Sequence, residues 1–150
     1  MPQSLSAVYI HLIFSTKERY AYLKDDQLQR DLHAYLGETS KHLDCPPIRV
    51  GGVEDHVHIL ARFGRKITQA DWIKELKRVS NIWLKTEAGL LQFQWQAGYA
   101  DFSVSASQLE TVKRYIENQK EHHRRMSYQD EVRTFLRKYS MEWDERYNWD

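Results

Sequence analysis

The sequence predicts an α+β fold, a ferredoxin-like split βαβ antiparallel sheet with helices on one face and a C-terminal helical extension. Segments with an apolar residue at every second position, which is typical of strands, alternate with segments whose apolar residues recur every three or four positions, which is typical of helices. Their order is strand, helix, strand, strand, helix, strand, helix, and then a last short helix. In that topology the third strand lies centrally, beside the first strand.

The first strand is predicted over Val8–Phe14, where apolar residues on both sides indicate a central strand that is covered on two faces. His11 within it is interpreted as a core histidine. A helix follows to about His42, and either Asp25 or Asp26 can cap its start. Its apolar stripe consists of Leu28, Leu32, Tyr35, Leu36 and Leu43.

A hairpin is predicted next. Ile48–Val50 forms a short second strand, and Gly51–Gly52 is interpreted as the turn into the third strand, Val53–Phe63. Val57, Ile59 and Ala61 alternate along the third strand with His56, His58 and Leu60.

Thr68 can cap the second helix, because Asp71 stands at the third helical position. Its buried side is predicted to consist of Trp72, Ile73, Leu76, Val79, Trp83 and Leu84. The fourth strand is predicted over Tyr99–Val104.

A third helix is expected from Gln108 to about His122, capped by Ser105 or Ser107. Ser127 can cap a last helix. The chain closes on an aromatic and acidic tail, whose large rings are expected to dock on the body of the protein. These rings are Trp143, Tyr147 and Trp149.

Length and composition limit the classes of protein that fit. The 150 residues suit one domain over 1–150, with a core at about 5–125 and the extension at about 126–150. Lys and Arg number 22 against 21 Asp and Glu, so any nucleic-acid surface must be a local patch.

The single cysteine, Cys45, excludes an intrachain disulfide and a cysteine-based zinc site. We expect a cytoplasmic protein without a membrane partner, because the sequence has no long apolar run and no secretory pattern.

His56 and His58 are two residues apart on the third strand, so both side chains project from the same face. Two imidazoles presented in this way are half of a metal site, which needs at least one further ligand. The alternative is that one histidine packs in the core and the other is solvated.

Tyr115 and Gln119 are four residues apart on the third helix and therefore lie on the same flank. Taken alone, they are adequately explained as boundary residues. A divalent ion held by His56, His58 and the amide oxygen of Gln119 would, however, leave positions open for phosphate oxygens. The Tyr115 phenol would then be a feasible nucleophile beside a polarised phosphate.

The densest basic surface is a stripe on the second helix, and it is a candidate for phosphate binding as well as an ordinary solvated face. Its cationic residues are Lys74, Lys77, Arg78 and Lys85. Lys17 and Arg19, in the polar turn after the first strand, are further candidates for DNA contacts.

The pair His56-Val-His58 followed by Tyr115-x-x-x-Gln119 resembles the HUH single-tyrosine transposases of insertion sequences, which are related to the REP-associated tyrosine transposases. The resemblance covers roughly residues 5–125, and the ordered combination of motifs is specific. It extends to the stretches Tyr9–Lys17, Asp55–Leu60 and Trp95–Val104.

The resemblance implies an enzyme that requires Mg²⁺ or Mn²⁺ and no organic cofactor. Such an enzyme cleaves and rejoins single-stranded DNA at hairpin-bearing ends through a 5′-phosphotyrosine intermediate. Tyr115 would be the nucleophile, and His56, His58 and Gln119 would hold the metal. A homodimer is also implied. The alternatives are a domesticated REP-type tyrosine transposase and a non-catalytic protein that binds DNA hairpins.

Overall fold

The computed structural model describes residues 2–146 and 148–150. Within this part of the chain, one four-stranded sheet forms the centre, in the order β2-β3-β1-β4. The strands are β1 (Tyr9–Ser15), β2 (Pro47–Gly52), β3 (His56–Arg62) and β4 (Ala100–Val104). All three pairings are antiparallel. The predicted ferredoxin-like class is confirmed, and the third strand lies centrally beside the first.

The helices are α1 (Asp26–His42), α2 (Gln69–Thr86), α3 (Leu109–Glu117), α4 (Gln119–His122) and α5 (Tyr128–Lys138). Three of them begin at the predicted caps, because the side chains of Asp25, Thr68 and Ser127 each accept a hydrogen bond from a backbone N–H in the first helical turn. Among the described residues, no helix combines the length and the apolarity that crossing a bilayer requires.

The two faces of the sheet carry different cores. Val57, Ile59 and Ala61 on β3 face α1 and α2, where they pack in one cluster with buried residues such as Leu36 and Trp72. The alternate residues of β3 face the other way, towards the C-terminal helices. The histidine pair therefore lies on the face opposite to α1 and α2.

The prediction of one continuous third helix was wrong. α3 ends at Glu117, and Asn118, with φ −99° and ψ 22°, separates it from the short α4. Asparagine side chains compete for backbone hydrogen bonds and favour helix ends over helix interiors. The break lies between Tyr115 and Gln119, so the two residues lie on different helices.

Gly51 and Gly52 do not form the turn that was predicted for them. They belong to β2 and pair with His58 and Val57, while the turn lies at 53–55. A Cβ atom on Gly51 would lie 2.7 Å from Cγ2 of Ile116 on α3. Glycine is needed at this position because α3 approaches the β2 backbone closely.

The C-terminal extension packs on the histidine face. Tyr128, Val132 and Leu136 on α5 form a buried cluster with residues of β1 and β4. Trp143 and Trp149 are partly buried against that cluster, which confirms that the tail docks on the body. Tyr147, for which docking was also predicted, lies outside the described residues.

Candidate active site

His56 and His58 lie on the central strand, where neighbouring strands fix the backbone on both sides. His56 pairs with Ser15 of β1, and His58 pairs with Ile13 of β1 and Gly51 of β2. Both histidines are fully buried, and their side chains project from one face as the sequence predicted.

A hydrogen-bond partner behind each ring orients the two imidazoles. Nδ1 of His56 lies 2.7 Å from a carboxylate oxygen of Asp55, and Nδ1 of His58 lies 2.8 Å from Nε2 of His11. A carboxylate only accepts, so Nδ1 of His56 carries the proton and its Nε2 faces the site. His11 is the core histidine that the sequence indicated, and burial holds its pKa well below the ordinary value. Nε2 of His58 faces the site as well.

Gln119 and Tyr115 meet the histidines within a single chain. The amide oxygen of Gln119 lies 3.3 Å from Nε2 of His56, and its Nε2 donates to the Tyr115 carbonyl at 3.3 Å. The Tyr115 ring lies beside the His58 ring, with 5.8 Å between centroids. The structure thus brings together the four residues that were predicted to act at the site.

Two residues that were not predicted from the sequence complete the cluster, the buried Glu131 and the partly buried His123. Oε1 of Glu131, on α5, lies 3.1 Å from Nε2 of His58, 3.3 Å from Nε2 of His56 and 3.1 Å from Nε2 of His123. Its other oxygen, Oε2, accepts hydrogen bonds from the Tyr115 hydroxyl and from Nε2 of Gln119.

One sequence signal could have found Glu131. It stands three residues after Tyr128 and four before Phe135, which places a carboxylate within the apolar stripe of α5. A charge at such a position is buried when the helix packs, and a buried charge needs partners. His123 offered no comparable signal beyond its place next to His122.

The electrostatics of the cluster combine burial with close ion pairs. Burial alone would lower the pKa of His56, but its hydrogen bonds to Asp55 and Glu131 raise it to about 9. Burial would raise the pKa of Glu131, but interactions with the surrounding imidazoles hold it well below its ordinary value. Burial, and then the Glu131 charge, raise the pKa of Tyr115. At neutral pH the cluster therefore holds a carboxylate and a protonated phenol.

Sequence comparison places the chain in a family. The family model described as "Transposase IS200 like" matches residues 4–119. The chain belongs to the IS200-like transposase family. No curated protein matches the sequence.

Solved structures show the same fold. A protein from Deinococcus radiodurans R1 that is designated a transposase is 23% identical, with a TM-score of 0.64 over 79% of this chain and 98% of the other. A REP-associated tyrosine transposase bound to a REP hairpin is 13% identical, with a TM-score of 0.59 over 82% of this chain and 72% of the other. At these identities the likeness shows the fold alone.

The cluster in this IS200-like transposase fits a metal ion. His56, His58, His123 and Glu131 each offer one ligand atom, and these atoms lie within 4.8 Å of one another. Nε2 of His123 is buried and finds no hydrogen-bond partner among the described residues, because its approach to Glu131 lacks the geometry of a hydrogen bond. Imidazole nitrogens and carboxylate oxygens are common ligands of divalent ions.

The basic stripe of this transposase lies on α2, across the sheet from the cluster. Lys74 and Arg78 are exposed, and Arg78 pairs with Glu75 at 2.8 Å. Lys85 is partly buried. Lys77 has a structural role, because its Nζ donates to the carbonyls of residues 96, 97 and 98 at 2.9, 3.3 and 2.6 Å.

Lys17 and Arg19 lie in a 3₁₀ turn directly after β1, at the end of the sheet that carries His56. The backbone N–H of Thr16, just before this turn, donates to the Asp55 carbonyl at 2.8 Å. Lys17 is exposed, whereas Nη1 of Arg19 donates to the Trp149 carbonyl at 2.9 Å. Of the two cations, Lys17 is the more accessible to a DNA phosphate.

Proposed function

We propose that the chain is a single-tyrosine HUH endonuclease and DNA strand transferase that cleaves and rejoins single-stranded DNA at hairpin-bearing ends. One observation supports this above all. The phenol of Tyr115, the imidazoles of His56 and His58 and the amide of Gln119 converge at one buried cluster, in a chain of the IS200-like transposase family.

The proposed reaction needs no external energy. The phenolic oxygen of Tyr115 attacks the phosphorus of a phosphodiester, and the bond between phosphorus and the 3′ oxygen breaks. The products are a 5′-phosphotyrosine and a free 3′ hydroxyl, which receives the proton that the phenol loses. When the 3′ hydroxyl of another DNA end attacks the phosphotyrosine, the reverse exchange joins the strands and restores the phenol.

His56, His58 and Gln119 are proposed to hold a Mg²⁺ or Mn²⁺ ion. A bound divalent ion would neutralise the charge that develops on the phosphate and orient the phosphodiester. The protein holds the nucleophile in place, because the Tyr115 hydroxyl bonds to Glu131 and lies 3.2 Å from Nε2 of His122. These two contacts keep the phenolic oxygen on the side of the imidazoles.

Access to the phenol is provided by a pocket of about 230 Å³. Its lining includes Tyr115, His122 and Glu131 together with Phe135 and Lys138. We propose that the phosphodiester reaches Tyr115 through this opening, where Lys138 supplies a cation for the DNA backbone.

A DNA hairpin is the proposed substrate, since the structurally similar REP-associated transposase is bound to one. Lys17, Arg19 and the α2 stripe would contact phosphates away from the reacting bond. The homodimer implied by the family resemblance is retained as a proposal, although the four predicted site residues already meet in one chain.

Covalent trapping tests the proposal. The protein is incubated with labelled single-stranded hairpin DNA and Mn²⁺, and a protein–DNA adduct is sought on a denaturing gel. Tyr115→Phe should abolish the adduct and leave hairpin binding intact. Tyr35→Phe is the matched control, because Tyr35 stacks on Trp83 on the other face of the sheet. An adduct that persists in Tyr115→Phe would refute the role of this phenol. Tight hairpin binding by the wild-type protein with no adduct in either Mg²⁺ or Mn²⁺ would favour the non-catalytic alternative.

A further inference from the structure

We propose that His123 and Glu131 bind the same divalent ion as His56 and His58, so that metal binding ties α5 to the central strand β3. Both additional residues follow residue 119, where the family match ends, and Glu131 comes from the C-terminal extension of this chain. The inference rests on the metal site of the proposed function and enlarges it.

The spacing of the donor atoms is that of ligands sharing one ion. Neighbouring donors bound to one ion at about 2.0–2.1 Å lie roughly 3.0–3.4 Å from one another. Oε1 of Glu131 lies 3.1 Å from Nε2 of His58, 3.1 Å from Nε2 of His123 and 3.3 Å from Nε2 of His56. The three imidazoles therefore surround one carboxylate oxygen at the required separation.

The ring nitrogens that face away from Glu131 support the same conclusion. Nδ1 of His123 lies 2.6 Å from the Met126 carbonyl, and Nδ1 of His56 lies 2.7 Å from the Asp55 carboxylate. Both partners only accept, so both Nδ1 atoms are donors, and the Nε2 atoms of both rings face Glu131. A metal-binding histidine commonly donates its other N–H to such an acceptor.

α5 delivers the carboxylate as part of a packed helix. The Tyr128 ring lies against the His56 ring, with centroids 5.0 Å apart, and Val132 is buried in the same cluster as residues of the sheet. Oε2 of Glu131 meanwhile binds the Tyr115 hydroxyl. One carboxylate would thus connect the ion with the nucleophile.

The donor set also indicates the class of ion. Mg²⁺ prefers oxygen ligands and retains several waters, whereas imidazole-rich sites favour transition metals. Three imidazoles and one carboxylate, together with the amide oxygen of Gln119, therefore favour Mn²⁺ over Mg²⁺.

The test measures metal binding without DNA. Mn²⁺ affinity is determined from the loss of the free-ion EPR signal, and Mg²⁺ affinity by competition. Glu131→Gln and His123→Gln should each weaken Mn²⁺ binding by at least about tenfold. The matched controls Glu121→Gln and His42→Gln, at exposed positions, should leave it unchanged.

A second measurement uses the wild-type protein, so it does not require any variant to fold. Mn²⁺ should slow amide hydrogen exchange in α5 as well as in β3. If Mn²⁺ binds but α5 exchange and the affinities of both variants are unchanged, His123 and Glu131 are not ligands, while the proposed function stands. If the wild-type protein binds no Mn²⁺, this inference and the metal dependence of the proposed function both fail.

Discussion

Replacing Gly51 with alanine should move the helix that carries the nucleophile. The new Cβ would lie 2.7 Å from Cγ2 and 2.9 Å from the carbonyl oxygen of Ile116, the residue after Tyr115. Carbon atoms in contact normally lie about 3.5–4.0 Å apart, so α3 must move by about 1 Å. The obstacle includes backbone, which a change of rotamer cannot relieve.

Two effects of this shift can be estimated. Overpacking of this kind costs about 1–3 kcal/mol, which lowers the melting temperature by roughly 3–10 °C for a domain of this size. A displacement of about 1 Å at a reacting group can also cost about 100-fold in rate. Adduct formation with hairpin DNA should therefore fall by about that factor, even at temperatures where Gly51→Ala is fully folded.

Gly37→Ala is the matched control. Gly37 lies within α1, and a Cβ there would meet Pro47 at 3.5 Å and Val50 at 3.7 Å, which are ordinary contacts. Alanine in a helix interior should stabilise the protein by about 0.5–1 kcal/mol and leave adduct formation unchanged. Urea unfolding and single-turnover adduct formation measure the two effects. If Gly51→Ala matches the wild-type protein in both, the close approach of α3 to β2 does not position Tyr115.

The remaining predictions concern other parts of the molecule. Gln119→Ala should raise the Mn²⁺ concentration needed for half-maximal adduct formation, and an unchanged metal titration would count against Gln119 as a ligand. Replacing Lys74 and Arg78 with serine should weaken hairpin binding and flatten its salt dependence without changing the melting temperature. Lys77→Ser should instead lower the melting temperature, because three loop carbonyls lose their donor. Burial lowers the pKa of His33 to about 4. The unfolded chain therefore binds more protons between about pH 6.5 and 4, and His33 removes up to about 3 kcal/mol of stability as pH falls through that window. Urea titrations at several pH values should show a shallower pH dependence for His33→Gln, and identical slopes would contradict this.

Local patterns were sufficient to predict the fold. Each strand of the sheet and the caps at Asp25, Thr68 and Ser127 follow from hydrophobic periodicity and side-chain hydrogen bonding within a few residues. The error at the hairpin lies where a contact between distant segments decides the structure. Gly51 is a glycine because α3 crosses it, and the hairpin sequence itself contains no sign of that contact.

The candidate site could be predicted only in part, because it too depends on contacts between distant segments. His56 and His58 follow from strand periodicity, and Tyr115 and Gln119 follow from their spacing and from the family resemblance. Glu131 comes close to them only because α5 folds back over the sheet, and no local pattern specifies that docking. The apolar stripe of α5 marks Glu131 as a residue that will be buried, but it does not indicate which groups will surround it.

Burial of Glu131 links the stability of the C-terminal extension to a cation. A carboxylate that is 1% exposed costs several kcal/mol unless opposite charge compensates it. Arginine and lysine are absent from its hydrogen bonds and ion pairs within the described part of the chain, where imidazoles, the Tyr115 phenol and the Gln119 amide are its partners. Imidazoles compensate a carboxylate only when they carry a proton or share a metal ion with it. The docking of α5, and with it the contact between Glu131 and the Tyr115 hydroxyl, therefore depends on whether the histidines hold protons or a metal ion.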